Sequence, residues 1–137
     1  MDYSYEVTVL PVSLVDRAKA FYADQLGWTV DTDFAPSPEF RVVQLTPPGS
    51  ACSISIGTGI SSAEPGSFRG MHLVVSDVEA ARTELLERGV DVSEPFHFGA
   101  SGQADGLHPE RADYATYVQF DDPDGNRWLV QEVSGRA

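Results

Sequence analysis

The sequence predicts an α+β fold made of two βαβββ modules. Each of two helical patterns follows one β-rich stretch and precedes three further strand candidates. The two halves also align: "VSLVDRAK" (Val12–Lys19) matches "VSDVEAAR" (Val75–Arg82), and "TPPGSACSIS" (Thr46–Ser55) matches "DPDGNRWLVQ" (Asp122–Gln131). One βαβββ unit cannot cover both faces of its sheet. We therefore expect two copies to pair, with their concave sheets forming a cleft.

The first module is predicted to cover about residues 1–57. Tyr5–Ser13 alternates between apolar and polar residues, which is typical of a strand. Ser13–Gly27 has apolar residues at helical spacing, with Ser13 as the expected N-cap and Gly27 as the residue after the helix. The three remaining strand candidates of this module are Trp28–Phe34, Glu39–Thr46 and Ala51–Gly57.

The second module is predicted to cover about residues 68–137, after a linker at 58–67. Met71–Ser76 is its first strand candidate. Ser76–Gly89 is a helix candidate, in which Ser76 and Glu79 have the spacing of a capping box. The three strand candidates that follow are Val90–Phe96, Tyr114–Phe120 and Arg127–Val133.

Length, composition and charge restrict the functional classes. A chain of 137 residues with 42% hydrophobic residues suits one domain. Cys52 is the single cysteine, and neither a signal peptide nor a membrane span is visible, so we expect a cytoplasmic protein. The net charge of −12 disfavours a nucleic-acid partner, whose phosphate backbone needs Lys and Arg. It suits a cationic small molecule, although solubility alone also favours acidic chains.

The repeat and its motifs resemble the vicinal oxygen chelate superfamily. The stretches that carry the resemblance are "VLPVSLVDRAKAFYADQLGW", "LVVSDVEAARTELLERGV" and the turn "DPDGN". That superfamily includes glyoxalase I, extradiol dioxygenases, fosfomycin-resistance enzymes and bleomycin-resistance binding proteins. The resemblance covers nearly the whole chain and implies a cleft in which catalytic members hold a metal with histidine and glutamate.

At the positions where those members carry metal ligands, this sequence has Val7, Ser53, Gly70 and Leu129. None of these side chains is a strong ligand for a divalent metal, which prefers imidazole, carboxylate or thiolate groups. The sequence therefore predicts a site without metal or other cofactor. An unusual metal site at His72 stays open as an alternative, although His72 would be its one good ligand.

The alternation of side chains along the strands selects candidate ligand contacts. Residues two positions from the ligand slots share their sheet face, and they are Val9, Ser55, His72 and Gln131. His72 could contact a ligand or simply hydrogen-bond a neighbour. Glu132 lies an odd number of residues from Leu129, so we expect it on the opposite face, as a solvated residue at the strand end.

The stretch Phe96–Tyr114 is long, polar and rich in glycine. Loops of this length often cover binding sites. Its His108 is therefore a candidate ligand contact if the loop is a flap. The other interpretation is a mobile insertion without a role in binding.

Two functions follow from these observations. The first is a metal-free protein that binds a small hydrophobic or cationic molecule, with the contacts Val9, Ser53, Ser55, Gly70, His72, His108, Leu129 and Gln131. The second is a lyase, isomerase or dioxygenase in which His72 is the acid or base, because imidazole titrates near neutrality. We further expect a homodimer, with no nucleic-acid or membrane partner.

Overall fold

The computed structural model describes residues 1–136 and confirms the predicted α+β class. It contains one four-stranded and one five-stranded mixed sheet, with few helices. The chain divides into two compact units. Unit 1 comprises Met1–Phe68 together with Asp122–Asn126, and unit 2 comprises Arg69–Asp121 together with the segment from Arg127 onward. The interpretation as one domain stays a prediction.

Unit 1 contains sheet A, in which the strands have the order β1-β4-β3-β2. Its strands are β1 Val7–Val9, β2 Thr29–Ser37, β3 Phe40–Thr46 and β4 Ser53–Thr58. β1 pairs in parallel with β4, and the other pairs are antiparallel. Val43, Leu45, Ile54 and Ile56 are buried. Ser53 and Ser55 on the other face of β4 are buried as well, so the central strand is covered on both faces.

The first helix is shorter than the sequence predicts. Helix α1 spans Val15–Lys19 and continues as a π-helical segment, Ala20–Gln25. Leu14 is the N-cap, without a side-chain hydrogen bond, so the prediction of Ser13 as N-cap is wrong. The Ser13 hydroxyl instead donates to Asp124 over 2.5 Å, because a tertiary acceptor competes with the local backbone. Gly27 ends the segment with a φ of 78°.

The turn Asp122–Gly125, which belongs to unit 1, is held by hydrogen bonds of buried polar groups. The Gly125 N–H donates to the Asp122 carbonyl over 2.9 Å, closing a four-residue turn. Tyr22 is fully buried, and its hydroxyl donates to the Asp122 carboxylate over 2.8 Å. The Asn126 amide donates to the Pro11 carbonyl over 2.8 Å. These bonds connect the turn to the first helix and to the segment after β1.

Unit 2 contains sheet B, in which the strands have the order β5-β9-β8-β6-β7. Its strands are β5 Met71–Val75, β6 Phe96–Gly99, β7 Gly102–Asp105, β8 Thr116–Asp121 and β9 Arg127–Glu132. Helix α2 spans Val78–Glu87 and packs against β8 and β9. β5 pairs in parallel with β9, and the remaining pairs are antiparallel.

Three local predictions for unit 2 need correction. The N-cap of α2 is Asp77, whose carboxylate accepts from the backbone N–H groups of residues 79 and 80, so the expected Ser76 cap is wrong. The predicted strand Val90–Phe96 has only an isolated bridge, at Val92, before β6 begins at Phe96. The stretch Phe96–Tyr114 contains the hairpin of β6 and β7 rather than a continuous loop.

No helix among residues 1–136 is long and apolar enough to cross a membrane.

Candidate functional site

Each sheet has a helix-free face, which is the face turned away from the helix of its own unit. In unit 2, the pairs His72 with Leu129 and Val74 with Gln131 belong to this face. Tyr117 pairs with Gln131, and Gln119 pairs with Leu129, which places β8 side chains beside them. The helix-free face of sheet B comprises His72, Val74, Phe96, Phe98, Tyr117, Gln119, Leu129 and Gln131.

The register corrects the predicted layers. His72 lies level with Leu129, whereas Gln131 lies level with Val74, so His72 and Gln131 are one layer apart. Gly70 precedes β5, and a Cβ atom added there would have no heavy atom within 4 Å. The face therefore has free space beside Gly70.

An aromatic patch occupies one side of this face. We define it as Phe96, Phe98, Tyr117 and His72. The Phe96 and Tyr117 rings stack with centroids 5.6 Å apart, and Phe98 meets Tyr117 edge-on at 5.4 Å. His72 approaches Tyr117 edge-on at 6.0 Å. Phe98 is 47% exposed, so the patch offers apolar ring surface to solvent.

The Tyr117 hydroxyl has one hydrogen without an acceptor in the described residues. The Gln131 Nε2 atom donates to this hydroxyl over 2.7 Å and to the Tyr114 carbonyl over 3.1 Å. The hydroxyl therefore accepts, and its own hydrogen has no acceptor within residues 1–136. The amide of Gln131 fixes the position of the phenol rather than pointing freely at a ligand.

His72 presents an acceptor next to that donor. Its Nδ1 atom lies 2.8 Å from the Gly70 carbonyl. Because a carbonyl oxygen only accepts, Nδ1 carries the hydrogen, and the neutral ring has its lone pair on Nε2. His72 is exposed, and its Nε2 atom has no partner in the described part of the chain. One nitrogen of His72 therefore bonds a neighbour, whereas contact of the other nitrogen with a ligand stays a prediction.

The helix-free face of sheet A is more polar. Val7 pairs with Ser53, and Val9 pairs with Ser55, so these four candidates share a face. The Thr46 hydroxyl donates to the Asp31 carboxylate and lies 2.6 Å from the Ser53 hydroxyl. Thr46 has one hydroxyl hydrogen, so Ser53 donates to Thr46 and is satisfied.

The neighbouring hydroxyl of the same strand is not satisfied. Ser55 is only 6% exposed, yet its hydroxyl has no hydrogen-bond partner within residues 1–136. Gln44 pairs with Ser55 across the sheet, and its side-chain amide also has no partner among these residues. The Ser55 hydroxyl and the Gln44 amide are therefore cross-strand neighbours, and neither forms a side-chain hydrogen bond within the described residues.

Within unit 2, His108 packs on the face of sheet B opposite to His72 and Gln131. Its ring packs edge-on against His97, with centroids 5.7 Å apart. His97 alternates with Phe96 and Phe98 along β6, so it lies on the opposite face of sheet B. The His108 Nδ1 atom accepts from the N–H groups of Glu110 and Ala112 over 3.2 and 3.3 Å. His108 thus organises its own turn.

The prediction of a solvated Glu132 is wrong, although its predicted face is correct. Glu132 is 4% exposed, and its carboxylate accepts two hydrogen bonds from Arg111, over 2.8 and 2.5 Å. It also accepts from the Val78 N–H at the start of α2 over 2.9 Å. The Arg111 guanidinium holds the pKa of Glu132 below its usual range, with help from the Val78 N–H and against the effect of burial.

The residues at the family's metal positions do not fit a divalent metal. Val7 and Ser53 are paired neighbours in sheet A, and Leu129 lies beside His72 in sheet B. Within residues 1–136, no group of three or more histidine, cysteine, aspartate or glutamate side chains could hold an ion. His72 has no carboxylate or thiolate partner there, so a metal-free state stays our prediction.

Sequence reasoning missed Tyr117, Phe98 and Gln44. The alternation of the predicted strand Tyr114–Phe120 contained the signal for Tyr117, because Tyr117 and Gln119 occupy one face. Gln44 could have been found by the same alternation in Glu39–Thr46. Phe98 had no strand-based signal, because it was assigned to a loop.

Comparison with known proteins identifies relatives of this chain. The family model described as Glyoxalase/Bleomycin resistance protein/Dioxygenase superfamily matches residues 5–130. A glyoxalase/bleomycin resistance protein from Streptomyces sp. CB03234 is 29% identical, with a TM-score of 0.69, covering 94% of this chain and 100% of that one. Among curated proteins, no sequence matches significantly.

Two further solved structures are similar over almost their whole length. TnmS3, an antibiotic binding protein from Streptomyces sp. CB03234, is 28% identical, with a TM-score of 0.73, covering 97% of this chain and 98% of that one. A superfamily member from Sphaerobacter thermophilus DSM 20745 is 27% identical, with a TM-score of 0.72, covering 96% and 98% of the two chains.

Proposed function

Because this chain belongs to the Glyoxalase/Bleomycin resistance protein/Dioxygenase superfamily, we propose that it binds a small hydrophobic or cationic molecule. The observation that carries this proposal is the aromatic patch of sheet B. It combines exposed ring surface with an unused donor on Tyr117 and an unused acceptor on His72. Apolar walls with a few placed polar atoms are typical of small-molecule sites.

Two further facts support binding of this kind. The similar protein TnmS3 is described as an antibiotic binding protein. The net charge of −12 favours a cation over an anion, and the exposed ring of Phe98 attracts cations as well as flat apolar groups. We therefore propose antibiotic-like aromatic molecules, neutral or cationic, as the first class to screen.

The phenol hydroxyl gives the sharpest test. Tyr117→Phe removes the donor and keeps the ring, so we expect affinity for the best screening hit to fall about fivefold to tenfold, the effect of one hydrogen bond. Calorimetry measures this change. Tyr3→Phe is the matched control, since Tyr3 is 89% exposed and lies outside the patch, and its affinity should equal that of the wild type. Equal loss in both variants contradicts the proposal.

A steric variant tests the same face without touching a polar atom. Gly70→Phe adds a ring on the face of His72, where a Cβ meets no atom within 4 Å. The protein should therefore fold normally, while the added ring covers the space beside the patch and abolishes binding of that hit. A folded Gly70→Phe variant with wild-type affinity places the binding site elsewhere.

The second candidate function is catalysis by His72. The Nδ1 bond to the Gly70 carbonyl orients the ring and leaves Nε2 free to take or give a proton. If the protein is an enzyme of this type, His72→Gln should lower kcat at least a hundredfold and change KM little. An equal change of kcat and KM, or unchanged kcat, contradicts the role of acid or base. Tyr117→Phe should mainly raise KM.

We also propose a homodimer. Strand β2 forms an edge of sheet A, and all nine of its residues are exposed, including Phe34 at 57%. Open edges with apolar side chains favour pairing with another chain. Light scattering should therefore give about twice the 14.9 kDa of one chain. A monomer at high micromolar concentration contradicts this, and Phe34→Lys should shift the equilibrium toward monomer.

A cytoplasmic location likewise stays a prediction.

A further inference from the structure

We infer that Ser55 and Gln44 form a second, polar ligand subsite in unit 1, which takes a neutral group that both donates and accepts hydrogen bonds, such as a carboxamide. This goes beyond the proposed function, which concerns the aromatic patch of unit 2. It shares only the premise that the protein binds a small molecule.

The first argument is the contrast between two serines of β4. Ser53 and Ser55 are 5% and 6% exposed and belong to the same face. Ser53 donates to Thr46, whose own hydrogen goes to Asp31. Ser55 has no hydrogen-bond partner within residues 1–136. A hydroxyl of a nearly buried residue usually has a partner in the protein, so its absence at Ser55 suggests a functional requirement.

The second argument is that the hydroxyl remains reachable. Among residues 1–136, no fully enclosed side-chain nitrogen or oxygen lacks a partner. The Ser55 hydroxyl therefore keeps some access to solvent. An atom that is nearly buried, unbonded and still reachable can bond an incoming group.

The third argument identifies the class of ligand. Ser55 and Gln44 are cross-strand neighbours, and both carry neutral groups that donate and accept. No charged side chain belongs to their row, which continues through Val9 and Thr32. The carboxylate of Asp31 already accepts from Thr46 in the adjacent row, and it disfavours an anion. A neutral amide matches the two groups better than a carboxylate or an ammonium group does.

The experiment uses benzamide as the probe and compares Ser55→Ala with Ser53→Ala in the full chain. Removing an unbonded hydroxyl should not destabilise the protein, so Ser55→Ala should keep or raise Tm, by about 2 °C. Ser53→Ala should lower Tm, because Thr46 loses a donor. In a ¹H–¹⁵N chemical-shift titration, Ser55→Ala and Gln44→Leu should each weaken benzamide binding about fivefold.

Controls make each outcome decisive. Toluene has neither a hydrogen-bond donor nor an acceptor, so any affinity that it shows should not depend on Ser55. The inference is overturned if Ser55→Ala lowers Tm as Ser53→Ala does, because the hydroxyl then serves the fold. It is also overturned if benzamide fails to bind the wild type, or binds Ser55→Ala equally well. Because the benzamide ring also suits the aromatic patch, binding at this subsite is measured from the amide shifts of β3 and β4, and binding at the patch from those of β8. Failure of the aromatic patch and failure of this subsite are therefore distinguishable.

Discussion

Replacing Glu132 by alanine is expected to lower the free energy of unfolding by about 3 kcal/mol. The carboxylate is 4% exposed and accepts from Arg111 twice and from the N–H of Val78, which is fully buried. Without it, the first turn of α2 loses an acceptor and the negative charge that favours a helix N-terminus. The loss stays near the lower end for a buried ion pair because the Arg111 side chain is 40% exposed and keeps water around it.

Urea denaturation measures this change through the midpoint at constant slope. Glu110→Ala is the matched control, because Glu110 is exposed and lies beside Arg111 in the chain. We expect it to alter the free energy of unfolding by less than about 0.5 kcal/mol. If Glu132→Ala is equally mild, the carboxylate does not stabilise the start of α2.

The same carboxylate predicts a dependence on pH. Its pKa is lower in the folded protein than in the unfolded chain, mainly because Arg111 donates to it. The stabilisation is therefore complete above the unfolded value of about 4.3 and is lost as the pH falls through the folded pKa. The stability difference between wild type and Glu132→Gln should be greatest near neutral pH and shrink in acid. A difference that is constant from neutral pH into acid contradicts this assignment.

Asn126→Ala is expected to cost about 3 kcal/mol of unfolding free energy. Asn126 is fully buried, and its amide donates to the Pro11 carbonyl and to the Asp122 carboxylate, over 2.8 and 2.9 Å. Its side-chain oxygen accepts from the Phe68 N–H over 3.1 Å. Alanine leaves the Pro11 carbonyl and the Phe68 N–H without this partner, and such groups are costly when water does not reach them.

Thermal and urea denaturation measure the effect of Asn126→Ala on the free energy of unfolding. The fluorescence of Trp28, which is buried in unit 1, follows the transition. Gln103→Ala is the control, since Gln103 carries the same amide on an exposed strand. Its effect should stay within about 0.5 kcal/mol. A comparable loss in both variants indicates a general effect of amide removal and contradicts the role of the turn.

The candidate site was predictable where it depends on alternation along a strand. The positions of Ser53, Ser55, His72 and Leu129 follow from the period of two, and the register places each pair on its expected face. The layer of Gln131 was not predictable, because a two-residue shift in pairing keeps the same face and therefore leaves no trace in the alternation. The aromatic patch was missed in part because Phe98 belongs to a hairpin that the glycine-rich sequence concealed.

The sequence by itself determined the α+β class, the repeat, the positive-φ glycines that end both helices at Gly27 and Gly89, and the face of Glu132. Those features depend on local backbone geometry, which a short stretch of sequence contains. Only the tertiary structure decided that Glu132 is buried, that Ser53 is bonded and that Ser55 is not. Arg111 lies 21 residues from Glu132 in the chain, and the partner of the Ser53 hydroxyl, Thr46, comes from another strand. Burial and hydrogen bonding depend on which residues become neighbours in space. The spacing of residues along the sequence therefore could not predict them.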